Sequence, residues 1–165
     1  MSEKKEGIWG KLTAVRADFL AYVAGLDEAG WETAVFTDES TDPWNVSDVV
    51  RHLADSEWGM TGLMMNIQSG KGGVPEDFDR ERWNSRSIAK RKDKTPAELL
   101  AEMAQNRQRL FAFLDTLTDD DWAKEGRHAS LNIYSIEQIC HIIADHESGH
   151  LQNIREAVGG RGLID

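Results

Sequence analysis

Apolar residues recur at steps of three and four along four stretches of the chain, which predicts four amphipathic helices. Ile8, Leu12, Val15, Phe19, Tyr22 and Leu26 form the first stripe, and Val49, Leu53, Met60, Leu63 and Ile67 the second. Leu99, Leu100, Met103, Leu110, Phe111, Leu114 and Leu117 make the third. Ile136, Ile139, Cys140, Ile143, Ile154 and Val158 make the fourth. Each stripe covers one helix face and is hidden only against partners, so the pattern predicts an all-α four-helix bundle. No stretch shows the sustained alternation of a half-buried strand.

The punctuation agrees. Thr95-Pro96-Ala97-Glu98 reads as a capping box with proline at the first helical position, where its missing N–H costs nothing. Ser135 with Gln138, and Asn45 with Asp48, repeat the signal, and Trp44 holds the apolar position before its cap. Gly70, Gly72 and Gly73 read as a stop after the second helix, and Gly159 and Gly160 after the fourth. The connections 27–44, 69–94 and 118–134 are long enough to cross the bundle. Within the middle one, FDRERWNSRSIAK reads as a short extra helix.

A faint internal repeat runs through this pattern. WNVSDVVRHLADSE, residues 44–57, aligns without gaps to YSIEQICHIIADHE, residues 134–147, and LDEAGW from Leu26 resembles LTDDDW from Leu117. The offsets of 90 and 91 residues fit two helix pairs related by a pseudo-twofold; chance recurrence of capping and core chemistry is the alternative.

Composition narrows the class. A chain of 165 residues, 40% hydrophobic and 29% charged, is expected to form one domain over 1–165 with a real core. It lacks the run of about 18 apolar residues that a membrane span needs. MSEKKEGIWGKL has neither the apolar run nor the cleavage site of a secretory signal. The one cysteine, Cys140, excludes an intrachain disulfide, reads as a small apolar core residue and fits a cytoplasmic location. A net charge of −10 argues against nucleic acid, because the basic run Arg80–Lys94 is interrupted by acids and leaves room only for a local anionic ligand.

The histidines carry the chemistry. His146 and His150 lie one turn apart near the stripe of Ile139, Ile143 and Ile154, whereas His141 falls on the polar face with Asp145. His52 sits at the edge of the Val49–Leu53–Met60 stripe and also points inward. Three neutral imidazoles from two facing helices suit a divalent first-row ion; hydrogen-bonded core histidines are the plain alternative. In the internal repeat His52 aligns with Ile142 and His146 with Ser56, so packing alone does not call for imidazoles there. Glu147 falls near the centre of the fourth stripe, where an unpaired carboxylate is costly. It would either serve an ion, as ligand, as partner of a ligand histidine or as proton acceptor, or reach solvent at a bundle end. Its repeat partner Glu57 is expected off the core face, and Asp55 and Ser56 read as polar edge residues or supports for His52.

Taken together, PWNVSDVVRHLADSE, FDRERWNSRSIAKR, KTPAELLAEM and EGRHASLNIYSIEQICHIIADHESGHLQNI resemble the DinB/YfiT-like superfamily of metal-dependent enzymes over nearly the whole chain. That resemblance implies an up-down-down-up bundle, a homodimer, and zinc or nickel held by His52, His146 and His150. It also implies a position facing the site for Asn84 in RWN, and a small-molecule substrate with a low-molecular-weight thiol, as in the mycothiol-dependent isomerase and bacillithiol S-transferase relatives. Superfamily membership leaves the reaction open. Three classes remain: a metal-dependent thiol transferase, isomerase or hydrolase, a non-catalytic metal or small-ligand binder, and a metal-free interaction bundle.

Overall fold

The computed structural model describes residues 3–35, 39 and 43–160. Four long helices, α1 (Glu3–Val23), α3 (Val46–Gln68), α5 (Pro96–Leu114) and α6 (Ile136–Gly160), form the bundle. The short α2 (Glu28–Trp31) and α4 (Arg80–Lys90) lie in the connections, with a 3₁₀ turn at Asp121–Ala123. Two antiparallel pairs complete it: β1 (Ala34–Val35) with β2 (Trp44–Asn45), and β3 (Glu125–Arg127) with β4 (Ile133–Ser135). Strands of two or three residues leave no alternation in a sequence, which is why they were not expected.

The expected caps form. Asn45 and Asp48 make a reciprocal capping box, as do Thr95 and Glu98. Ser135 and Gln138 exchange the same pair of bonds at the start of α6. Helix α3 stops before Gly70 and Gly72, both at positive φ (79° and 75°), a region glycine enters without strain. Helix α6, by contrast, runs through Gly159 and Gly160 instead of stopping before them.

Ion pairs and hydrogen bonds give the directions. Lys4 meets Glu137, Lys11 meets Asp145 and Asp18 meets Arg155, so α1 and α6 run parallel. Asn106 donates to Ala54 O and Arg109 to Trp58 O, so α3 and α5 also run parallel. His52 faces His146 while Met64 faces Cys140, which makes α3 and α6 antiparallel. The order is therefore up-down-down-up, and the long connections are what permit it.

Two apolar clusters fill the ends of the bundle. One is built around Leu12, Met64, Leu110 and Ile139, the other around Phe19, Val49, Met103 and Ile154. Between them sits a square of buried charge. Arg16 donates from Nε to Glu147 Oε1 (2.6 Å), from Nη2 to Glu57 Oε2 (2.5 Å) and from Nη1 to Met103 O (2.9 Å). Arg107 donates from Nε to Glu57 Oε1 (2.6 Å), from Nη2 to Glu147 Oε2 (2.6 Å) and from Nη1 to Leu12 O. Every partner is exchanged for its repeat mate: Arg16 for Arg107, Glu57 for Glu147, Leu12 for Met103. The hairpin joints repeat as well, Val46 N donating to Thr33 O and Ile136 N to Lys124 O, both at 3.0 Å. Two half-bundles thus face each other across a pseudo-twofold, with α4 in the connection between them.

This square corrects two expectations. Glu57 is buried, not off the core face, and Glu147 neither reaches solvent nor stands alone. Each carboxylate accepts from two guanidinium groups, which meets the requirement that a buried charge be paired and hydrogen-bonded.

Candidate metal centre

His52 on α3 and His146 and His150 on α6 bring their Nε2 atoms to one point. The His52–His146 and His146–His150 Nε2 separations are 3.0 and 3.1 Å. Two ligands each about 2.1 Å from one ion stand roughly 3.0–3.4 Å apart, depending on the angle between them. His52 is 3% exposed and His150 5%, while the His146 side chain keeps 18%. Trp44 packs a tilted ring against His52, with centroids 5.0 Å apart, and fixes its plane. His150 Nδ1 is buried without a hydrogen-bond partner among the described residues, so the cluster itself orients that ring.

A fourth donor joins them. Glu39, from the connection between β1 and β2, places Oε1 2.7 Å from His146 Nε2 and 3.4 Å from His150 Nε2. Its Oε2 makes a short contact with His52 Nε2. These four side chains are the one group among the described residues with metal-holding geometry. The sequence reading missed Glu39, since a lone acid in a connection has no periodicity to mark it.

Electrostatics favour a cation at this point. Burial pushes the His52 imidazole down to about 4, against the opposing hydrogen bond that the ring makes to the Glu39 carboxylate, so the ring is neutral at pH 7. Burial alone would raise the Glu39 carboxyl, but hydrogen bonds from His146, His150 and His52 outweigh it and hold the group well below the usual carboxylate range. Neutral imidazoles and an ionised carboxylate are the donor set that zinc, nickel and similar ions take. The residues fit such an ion.

Beside the cluster lies a cavity of about 590 Å³, within the range of small-molecule sites. His52, His146 and Glu39 stand in its lining. Its walls are largely apolar, from Trp58, Met60, Leu63, Val74, Phe78 and Trp83. Gly73 brings one wall in: a Cβ there would collide with the Arg127 backbone, which accepts from Val74 N at 2.8 Å. Asp55, one turn beyond His52, clamps α4 over the cavity by accepting from Trp83 Nε1 (2.7 Å), Ser87 Oγ (2.5 Å) and Arg91 Nη1 (2.7 Å). It is a buried hub, not an edge residue, whereas Ser56 stays 3.4 Å from both ring nitrogens of His52.

That clamp puts Asn84 in the cavity lining, buried, with its Nδ2 unpartnered among the described residues. His128, in the β3–β4 connection, also lines the cavity; its Nδ1 accepts from Ser130 N at 3.2 Å, so the neutral ring bears its proton on Nε2. Burial, aided by nearby positive charge such as that of Arg80, holds His128 below its usual range. Glu147, adjacent to His146 in sequence, belongs to the buried square and not to the donor cluster. Cys140 is buried and faces Met64 Sδ at 3.7 Å, away from the donor group. No helix among the described residues is long and apolar enough to cross a membrane.

The chain matches the DinB superfamily over residues 11–154. None of the curated proteins matches the sequence. Among solved structures it is similar to YfiT of Bacillus subtilis, described as a probable metal-dependent hydrolase with an unusual four-helix bundle topology. That similarity has a TM-score of 0.76 at 23% identity and covers 98% of this chain and 90% of the other. A mycothiol-dependent maleylpyruvate isomerase aligns with a TM-score of 0.73 at 15% identity, over 93% of this chain and 63% of that protein, so this chain spans under two-thirds of its length. An uncharacterised protein of Escherichia coli UTI89 aligns at 0.76 with 10% identity, over 98% and 96% of the two chains. Identities this low establish the shared fold and not a shared reaction.

Proposed function

The chain belongs to the DinB superfamily, and on that premise we propose that it is a metal-dependent enzyme in which a low-molecular-weight thiol or water attacks a small electrophile. The observation that supports this reading is the convergence of three imidazole Nε2 atoms, from two helices, beside a small-molecule cavity. His52, His146 and His150 would hold the ion, zinc or nickel by their donor chemistry. When bound, such an ion lowers the pKa of a water or thiol in contact with it toward neutrality.

The chain's own residues supply the rest. The tryptophan, phenylalanine and methionine walls exclude water from the electrophile and bind its apolar part. Asn84 offers an amide to a carbonyl or carboxylate of the substrate, and the His128 ring stands ready as a proton donor on the same cavity. Glu147 acts at one remove, as a positioning residue that fixes α6 and so His146. One domain over residues 1–165, a cytoplasmic location and a homodimer belong to the same proposal and rest on composition and family resemblance.

One observation favours a second reading, that of a non-catalytic metal or small-ligand binder: four donors converge, whereas catalytic centres keep a position open. Elemental analysis of the purified protein, followed by thiol conjugation to a chromogenic electrophile, tests both. Stoichiometric metal and turnover that both vanish in His146→Ala are the outcome expected of the enzyme. Metal without turnover across a panel of thiols favours the binder. No metal after incubation with zinc and nickel removes both readings.

A further inference from the structure

Glu39 reaches the cluster differently from its three companions. The histidines project from two long antiparallel helices that meet at one level, whereas Glu39 lies in the short connection between β1 and β2. Its side chain is 22% exposed, close to the 18% of His146, while His52 and His150 are sealed. One carboxylate spans all three Nε2 atoms, and no lysine or arginine among the described residues pairs with it. Glu39 also lines the cavity, beside His52 and His146, so it borders the space where a small molecule fits.

We infer that Glu39 is a fourth, displaceable donor to the ion held by His52, His146 and His150, closing the centre at rest and giving up its position to an incoming ligand. The inference rests on the metal-centre reading above. A carboxylate has the hard oxygen and the negative charge to complete a four-coordinate site with three imidazoles. It is also the donor of the four whose withdrawal moves no long helix and opens the vacated position straight into the cavity. The two readings of the site are thereby reconciled: four donors make a closed centre, and loss of this one makes an open centre.

Cobalt(II) is a suitable probe, because its visible absorption reports coordination number. The full chain is stripped with a chelator and reloaded with cobalt(II), as wild type, Glu39→Ala, Glu39→Gln and His150→Ala, with circular dichroism to confirm that each is helical. Glu39→Gln preserves side-chain shape, so it retains the fold if the smaller substitution does not. We expect an intense four-coordinate spectrum in wild type that weakens or shifts in both Glu39 variants. Cobalt affinity in those variants should fall by roughly ten- to a hundredfold. Titration with 2-mercaptoethanol should then show the opposite trend, with the thiol binding at several-fold lower concentration once no carboxylate competes. Wild-type affinity and spectrum in both Glu39 variants, with cobalt lost in His150→Ala, would overturn the role of Glu39 and leave the three-histidine centre standing. Failure of wild type to take up cobalt at all would overturn both.

Discussion

His146 and Glu147 are consecutive residues on α6 that serve two separate clusters, the imidazole ring turned to His52 and His150 and the carboxylate clamped by Arg16 and Arg107. The helix can hold this rotation only if both are satisfied at once. Truncating Glu147 leaves two guanidinium groups buried with half their countercharge.

Glu147→Ala is therefore expected to lower stability by about 3–5 kcal/mol, the usual result of breaking a buried pair from one side. Metal uptake by the molecules that remain folded should persist, and Glu147→Gln should recover part of the loss. Denaturant unfolding combined with metal analysis decides it. Metal loss at unchanged stability would place Glu147 in the centre itself.

The neutral state of His52 has a pH consequence for the metal-free chain. Its folded value is about 4 against an ordinary 6.5, lowered mainly by burial. Between those values the unfolded chain binds a proton that the folded chain refuses, so the stability linked to His52 should fall as pH drops from 6.5 to about 4. The size of the loss is roughly 3 kcal/mol. His52→Gln should flatten the profile over that window, as read by thermal melting at a series of pH values; an unchanged slope would mean that another group carries it.

Asn84→Leu separates binding from folding. The amide nitrogen is buried without a partner, so an apolar side chain of similar size should be neutral or stabilise the protein by about 1 kcal/mol. The same change removes the polar contact offered to a substrate. We expect unchanged metal content, an equal or higher melting temperature, and weaker binding of carbonyl- or carboxylate-bearing ligands. A drop in melting temperature would show that the amide supports the fold.

Cys140 should be inert in the native protein. It is buried, and burial pushes its thiol up to about 12, which leaves almost no thiolate at neutral pH. Labelling with a disulfide reagent at pH 8 should proceed at the rate of unfolding, and reach one equivalent at once in denaturant. Fast native labelling would contradict the packing seen around α6.

The helices, their caps and the inward histidines were legible because each rests on local rules. Spacing at three and four placed His52, His146 and His150 on buried faces, and the Thr95–Glu98 and Asn45–Asp48 boxes marked helix starts that the structure keeps. The misses share one physical cause, which is that charge in a core depends on a partner far away in sequence. Arg16 stands four residues after Leu12 and three before Phe19, and Arg107 does the same between Met103 and Leu110, so both occupy stripe positions. The apolar stripes pass over both arginines, which left Glu147 without its true partners and Glu57 on the wrong face. Glu39 had no such signal, since only the tertiary fold brings that connection to the cluster.

The pseudo-twofold has one more consequence. Applied to the three histidines, the 90-residue offset returns Ile142, Ser56 and Met60, and all three line the cavity. The two corners related by the pseudo-twofold thus carry unlike side chains, nitrogen donors at one and Ile142, Ser56 and Met60 at the other. Asymmetry inside a symmetric frame is what sets a cluster of nitrogen donors beside a largely apolar cavity wall.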